Sequence, residues 1–107
     1  MLVYEVNLAV EAEIAGAFVA WLPGHVAELL ALPGFLAAET FRVEEPPPPA
    51  GEVALVVRYR LRDRAALDAY LRDHAARLRA DGLARFGGRF QASRRVLAST
   101  DAPPSAA

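Results

Sequence analysis

A chain of 107 residues with a formal net charge of −1 has room for one domain and no second, and it lacks the basic excess of a nucleic-acid binder. It contains no cysteine, which excludes disulfides, thiolate catalysis and cysteine-based metal sites. All twelve basic residues are arginine, a bias we assign to genomic base composition. The opening segment MLVYEVNLAVEAE lacks the basic stretch and cleavage site of a signal peptide. No apolar run approaches the ~18 residues that crossing a bilayer takes, so no membrane association is expected and the cytoplasm is the expected location. The 54% hydrophobic fraction is high for a small monomer, and surplus apolar surface of that kind is often covered by a partner subunit.

Residues 2–10 alternate, with Leu2, Tyr4, Val6, Leu8 and Val10 on one face and Val3, Glu5, Asn7 and Ala9 on the other, which is the period of a strand. Over residues 12–32 the spacing turns helical, with Ile14, Phe18, Leu22, Val26 and Leu29 on one stripe. Pro23-Gly24 interrupts it, and proline's missing donor predicts a kink or break near residue 22. Leu32-Pro33-Gly34 then turns the chain. Residues 35–44 alternate again, with Phe35, Ala37, Phe41 and Val43 on one side. The four prolines at 46–49 hold an extended spacer loop.

Residues 53–61 read as a third strand, with Val53, Leu55, Val57, Tyr59 and Leu61 on one face and Ala54, Val56, Arg58 and Arg60 on the other. Asp63 is an N-cap residue for a helix reaching about Ala80, with Leu67, Tyr70, Leu71, His74 and Leu78 on one stripe. Asp68–Arg72 and Asp73–Arg77 have the spacing of i,i+4 ion pairs, and Gly82 is placed to end the helix in the left-handed conformation. A last strand spans Phe90 to Ala98. The domain therefore covers residues 1–99, and the small, polar, proline-containing stretch 100–107 is expected to be a disordered tail.

The order β-α-β-β-α-β has one common solution, an α+β ferredoxin-like fold: a four-stranded antiparallel sheet with both helices on one face. Nothing in the chain then covers the other face, where Val3, Asn7, Ala54 and Val56 lie. A homodimer through that open face would bury it symmetrically and would enclose a space between the two sheets.

Trp21-Leu22-x-x-His25-Val26-x-Glu28-Leu29 followed by Leu32-Pro33-Gly34-Phe35 resembles the first helix and turn of the dimeric α/β-barrel proteins. Tyr70-Leu71-x-x-His74-Ala75-x-Arg77-Leu78-Arg79-x-Asp81-Gly82-Leu83, with Arg85-Phe86-Gly87 and Arg94-Arg95-Val96-Leu97, resembles a small bacterial family known only as a domain of unknown function. The resemblance covers roughly residues 2–98. The wider superfamily includes cofactor-free antibiotic-biosynthesis monooxygenases, muconolactone-type isomerases, haem-binding members and stress-responsive proteins, and a shared fold does not choose among them.

Five residues could carry chemistry. His25 follows Trp21 by one helical turn, and an imidazole titrating near neutrality can act as a general base. His74 is a second candidate base on the apolar stripe. Glu5 and Arg58 sit on adjacent strands and can pair across them; Arg58 or Asn7 could also orient an anionic or polar ligand. Two histidines without convergent carboxylates make no metal site, and no Gly-rich phosphate loop or nucleophile elbow is present, so no cofactor is expected. The expected function is binding of a small organic molecule in or near the dimer cavity, with Trp21, Arg58, Asn7 and Glu5 as ligand contacts. The alternatives are a cofactor-independent monooxygenase-like or isomerase-like enzyme with His25 as base, and a purely structural assembly module.

Overall fold

The computed structural model describes residues 1–100, so the tail expected at 100–107 lies, but for its first residue, outside the described residues. Strand β1 (Leu2–Glu11) leads through a short 3-10 turn into helix α1 (Ala15–Leu30). Strands β2 (Phe35–Arg42) and β3 (Glu52–Leu61) follow, then helices α2 (Arg64–Asp73) and α3 (Ala75–Phe86), a second 3-10 turn and strand β4 (Phe90–Ala98). The strands form one sheet in the order β2-β3-β1-β4, every neighbouring pair antiparallel. The ferredoxin-like α+β reading holds.

The core lies between the sheet and the helices. Tyr4, Leu8 and Val10 of β1 and Val57, Tyr59 and Leu61 of β3 point into it, and Phe18, Leu22, Val26, Leu29, Leu67, Tyr70 and Leu78 meet them from the helices. Burying a large apolar side chain of this kind stabilises the fold by about 1.5–3 kcal/mol. Asp63 caps α2 as expected, its Oδ1 accepting from the Ala66 amide at 2.9 Å. Gly34 turns the chain into β2 at φ +84°, and a Cβ there would overlap that of Ala66.

Helix α1 runs through Pro23 without a break. The carbonyl that proline leaves without a donor belongs to Val19, which is 49% exposed, on a side of the helix that water can reach. The second helix is shorter and the whole segment longer than the periodicity predicts. It breaks at His74, where the backbone adopts φ −132° and ψ −27°, and resumes as far as Phe86. The break shifts the inward position from 74 to Ala75, which is buried, and turns His74 to partial exposure. Leu71 is likewise 41% exposed, off the apolar stripe. Asp68 pairs instead with Arg64 at 3.2 Å and Asp73 with Arg72 at 3.0 Å, because the break removes Arg77 from the register that would bring it to Asp73. The helix-ending glycine is Gly87 at φ +58°. Gly82 is buried within α3, where a Cβ would come within 3.3 Å of both Trp21 and Phe90.

In β2 the register slips between Phe35 and Ala37. This bulge puts one extra residue into the strand, and one residue is enough to exchange faces. Phe35 therefore enters the core against Tyr59 and Tyr70, with ring centroids 5.8 and 5.4 Å away. Ala37, opposite Arg60, and Phe41, opposite Val56, take the other face instead of sharing that of Phe35.

Candidate ligand-binding site

The alternation of β1 sorts the candidate residues onto opposite sides of the sheet. Tyr4, Val6 and Leu8 face the helices; Glu5 and Asn7 face away. Trp21 and His25, carried by α1, belong to the helix side. Glu5, Asn7 and Arg58 therefore share no cavity with His25 within one chain, because the thickness of the sheet separates them.

On the open face, Glu5 stands opposite Arg58 of β3 and Arg95 of β4. Arg58 Nε donates to Glu5 Oε2 at 2.8 Å, and Arg95 Nε to Oε1 at 2.7 Å. Asn7 Nδ2 donates to the same Oε1 at 3.1 Å. The Glu5 side chain is 1% exposed while its arginine partners are 49% and 63% exposed, so its cover is one side chain thick. Burial alone would raise the Glu5 carboxyl, but the Asn7, Arg95 and Arg58 bonds outweigh it and hold the pKa below the ordinary value. Glu39 of β2 stands opposite Arg58, which completes a row of alternating charge across the four strands. The satisfied carboxylate reads as a structural ion cluster. Asn7 also borders a shallow depression with Ala9, Ala54, Val56 and Ser93.

On the helix side a cavity of about 240 Å³ opens between α1, α3 and the sheet. Trp21 and His25 form part of its wall, stacked with centroids 4.6 Å apart. Phe18 packs against Trp21, Phe86 and Phe90 at 5.5, 5.0 and 5.2 Å, and Gly82 admits this close aromatic packing by having no side chain. Deeper in, Tyr4, Tyr59 and Tyr70 cluster, with Tyr4 6.1 Å from Tyr59 and 5.7 Å from Tyr70. Burial and its Tyr4 neighbour push the Tyr70 phenol up to about 12, and burial moves Tyr59 upward as well, so both are neutral donors at physiological pH. Burial lowers the pKa of His25; Glu28 and Asp81 oppose that and Arg94 reinforces it. His25 is consequently a neutral imidazole at pH 7, able to accept a proton.

Two lining residues escape the sequence reading, Arg79 and Arg94. Arg79 donates to the Tyr4 hydroxyl at 3.1 Å, and its Nε is buried with no hydrogen-bond partner. An unmet buried donor costs on the order of 1–3 kcal/mol. Neither arginine has a carboxylate within 4.0 Å among the described residues. A signal exists for both. Arg94 has the strand parity of Phe90 and Ala92, and Arg79 follows Ala75 by four on the inward stripe of α3. His74, by contrast, stands at the α2–α3 junction with Nδ1 3.1 Å from Arg77, and it is not among the residues lining the cavity. Among the described residues no three potential ligands group to hold a metal, and no helix is long and apolar enough to cross a membrane.

The family model described as "Domain of unknown function (DUF4286)" matches residues 1–100, and the chain belongs to that family. No curated protein matches the sequence. Solved structures share the fold at low identity. A protein from Deinococcus radiodurans described as a candidate antibiotic biosynthesis monooxygenase superposes with a TM-score of 0.72 at 12% identity, over 100% of both chains. SnoaB, a cofactor-independent oxygenase from Streptomyces nogalater, gives 0.65 at 14% identity, over 97% of this chain and 98% of its own. Rv0793 from Mycobacterium tuberculosis gives 0.59 at 24% identity, over 97% and 100%. These likenesses are of fold.

Proposed function

We propose that this DUF4286 protein binds a small organic molecule in the cavity between α1, α3 and the sheet, and pairs with a second copy of itself through the open sheet face. The observation that carries the binding role is the lining. A concave, mostly aromatic wall converges with three tyrosines, a neutral histidine and two arginines lacking acidic partners, which is the composition of a ligand pocket more than of a closed core. The open face supports pairing. It exposes Phe41 at 45% beside Val56, and its row Glu39–Arg58–Glu5–Arg95 is self-complementary, since the same row reversed sets each acid against a base. Trp21 is the one tryptophan of the chain and lines the cavity, so its fluorescence reports occupancy directly. A panel of single-ring aromatic compounds should change it saturably, and a flat response across the panel would reject the binding role.

A second reading, catalysis with His25 as general base, is favoured by one specific observation: the imidazole is held neutral against an aromatic wall inside this cavity. The similarity of fold to a cofactor-independent oxygenase lends it support by analogy. It predicts turnover of a bound compound that His25→Ala abolishes while binding persists.

A further inference from the structure

We infer that the ligand of this cavity is an aromatic carboxylate, its ring against the Trp21 wall and its anionic end toward Arg79 and Arg94. The inference rests on the cavity being the ligand site.

The charges on the lining are unbalanced. Arg79 and Arg94 are the two guanidinium groups of the cavity, and the acidic residues acting on the site, Glu28 and Asp81, lie near His25 without pairing to either arginine. The Arg79 guanidinium lines the cavity, donates to the neutral Tyr4 hydroxyl and leaves its Nε–H unused, so its charge is available to an anionic group at the cavity wall. A carboxylate meets a guanidinium in the planar geometry that makes such bonds strong. Arg94, exposed on β4, adds a second positive charge facing the same space.

The rest of the wall selects the body of the ligand. Phe18, Trp21 and Phe90 are aromatic, Leu22 and Leu29 aliphatic, and such surfaces favour a ring over a freely hydrated inorganic ion. The cavity volume of about 240 Å³ equals roughly eight water-sized groups, the scale of a single-ring acid.

The test uses the full chain, with Trp21 fluorescence and calorimetry as readouts and benzoate, benzamide and inorganic phosphate as probes. Benzoate should bind about ten-fold or more tightly than benzamide, a difference of about 1.4 kcal/mol, with phosphate weaker than both. Arg79→Met should remove the preference for benzoate while benzamide binding persists, and Arg94→Met should reduce it. Arg64→Met, on the surface of α2, should leave the preference unchanged and so exclude a general charge effect. If Arg79→Met does not fold, Arg94→Met and the wild-type comparison decide. Benzamide binding as tightly as benzoate would overturn the carboxylate assignment and leave the small-molecule reading standing. Tighter phosphate than benzoate binding would replace it with an inorganic anion site. No response to any probe or to the wider aromatic panel would overturn the binding reading itself.

Discussion

The indole of Trp21 and the imidazole of His25 lie stacked, their planes 25° from parallel and their centroids 4.6 Å apart. The contact puts a titratable ring against the one tryptophan of the chain, which lines the cavity. Burial disfavours the imidazolium, Glu28 and Asp81 favour it, Arg94 disfavours it, and the net pKa falls below 6.5. A depressed histidine pKa means that the unfolded chain takes up the proton first. The stability due to the neutral ring is therefore present above the unfolded value of 6.5 and is lost as pH falls through the folded pKa. An NMR titration of His25 should give a midpoint below 6.5, and Arg94→Met should raise it. A midpoint at or above the free value would mean that the ring is not held as described.

Glu5 provides the second pH-dependent element. Its folded pKa is lowered, so its contribution is present above the unfolded value of 4.5 and disappears as pH falls through the folded one. Glu5→Gln keeps the shape and removes the charge. At pH 7 it should cost roughly 1–2 kcal/mol, the low end for charged hydrogen bonds, because both arginines can turn to water. Denaturant titrations should show the gap closing under acid conditions. A gap that persists unchanged there would point to packing instead of charge.

Gly34→Ala should be strongly destabilising, by about 2–4 kcal/mol, from left-handed strain combined with overlap on Ala66. The double variant Gly34→Ala/Ala66→Gly should recover the overlap part and retain the strain. Chemical denaturation of the four species measures this coupling; simple additivity would show that the two residues do not oppose each other.

Pairing through the open face predicts a mass by light scattering of twice the 11.5 kDa of one chain. Val56→Asp, which sets a charge at the centre of that face between Phe41 and Asn7, should yield a folded monomer. A wild-type monomer at micromolar concentration would remove the shared-sheet account.

Most of the fold is legible in the alternation and helical spacing, since each strand of the sheet shows an apolar side in the chain itself. The misreadings have local causes. The bulge at Leu36 exchanges the faces of β2 by one residue, which a strict count of two cannot register. His74 ends one helix and begins another without any glycine or proline to mark it, and Gly82 resembles a terminator because a packing glycine and a capping glycine are the same letter. The site was half legible. Trp21 and His25 show their helical spacing and meet in a cavity on the helix side, whereas the strand parity of Glu5, Asn7 and Arg58 sets them on the opposite face of the sheet, a separation that the element order alone does not assign to α1. Arg79 and Arg94 pass unnoticed among ten other arginines until the tertiary fold shows which of the twelve line the cavity.

The central claim is that ligand binds on the helix side of the sheet within one chain. The most direct measurement is an amide and side-chain chemical-shift map of the full chain titrated with benzoate. The shifts should concentrate on Trp21 Nε1, His25, Gly82 and Arg94, with Asn7, Arg58 and Ser93 unmoved. Shifts centred on Asn7, Arg58 and Ser93 would place the ligand between the sheets and contradict the account.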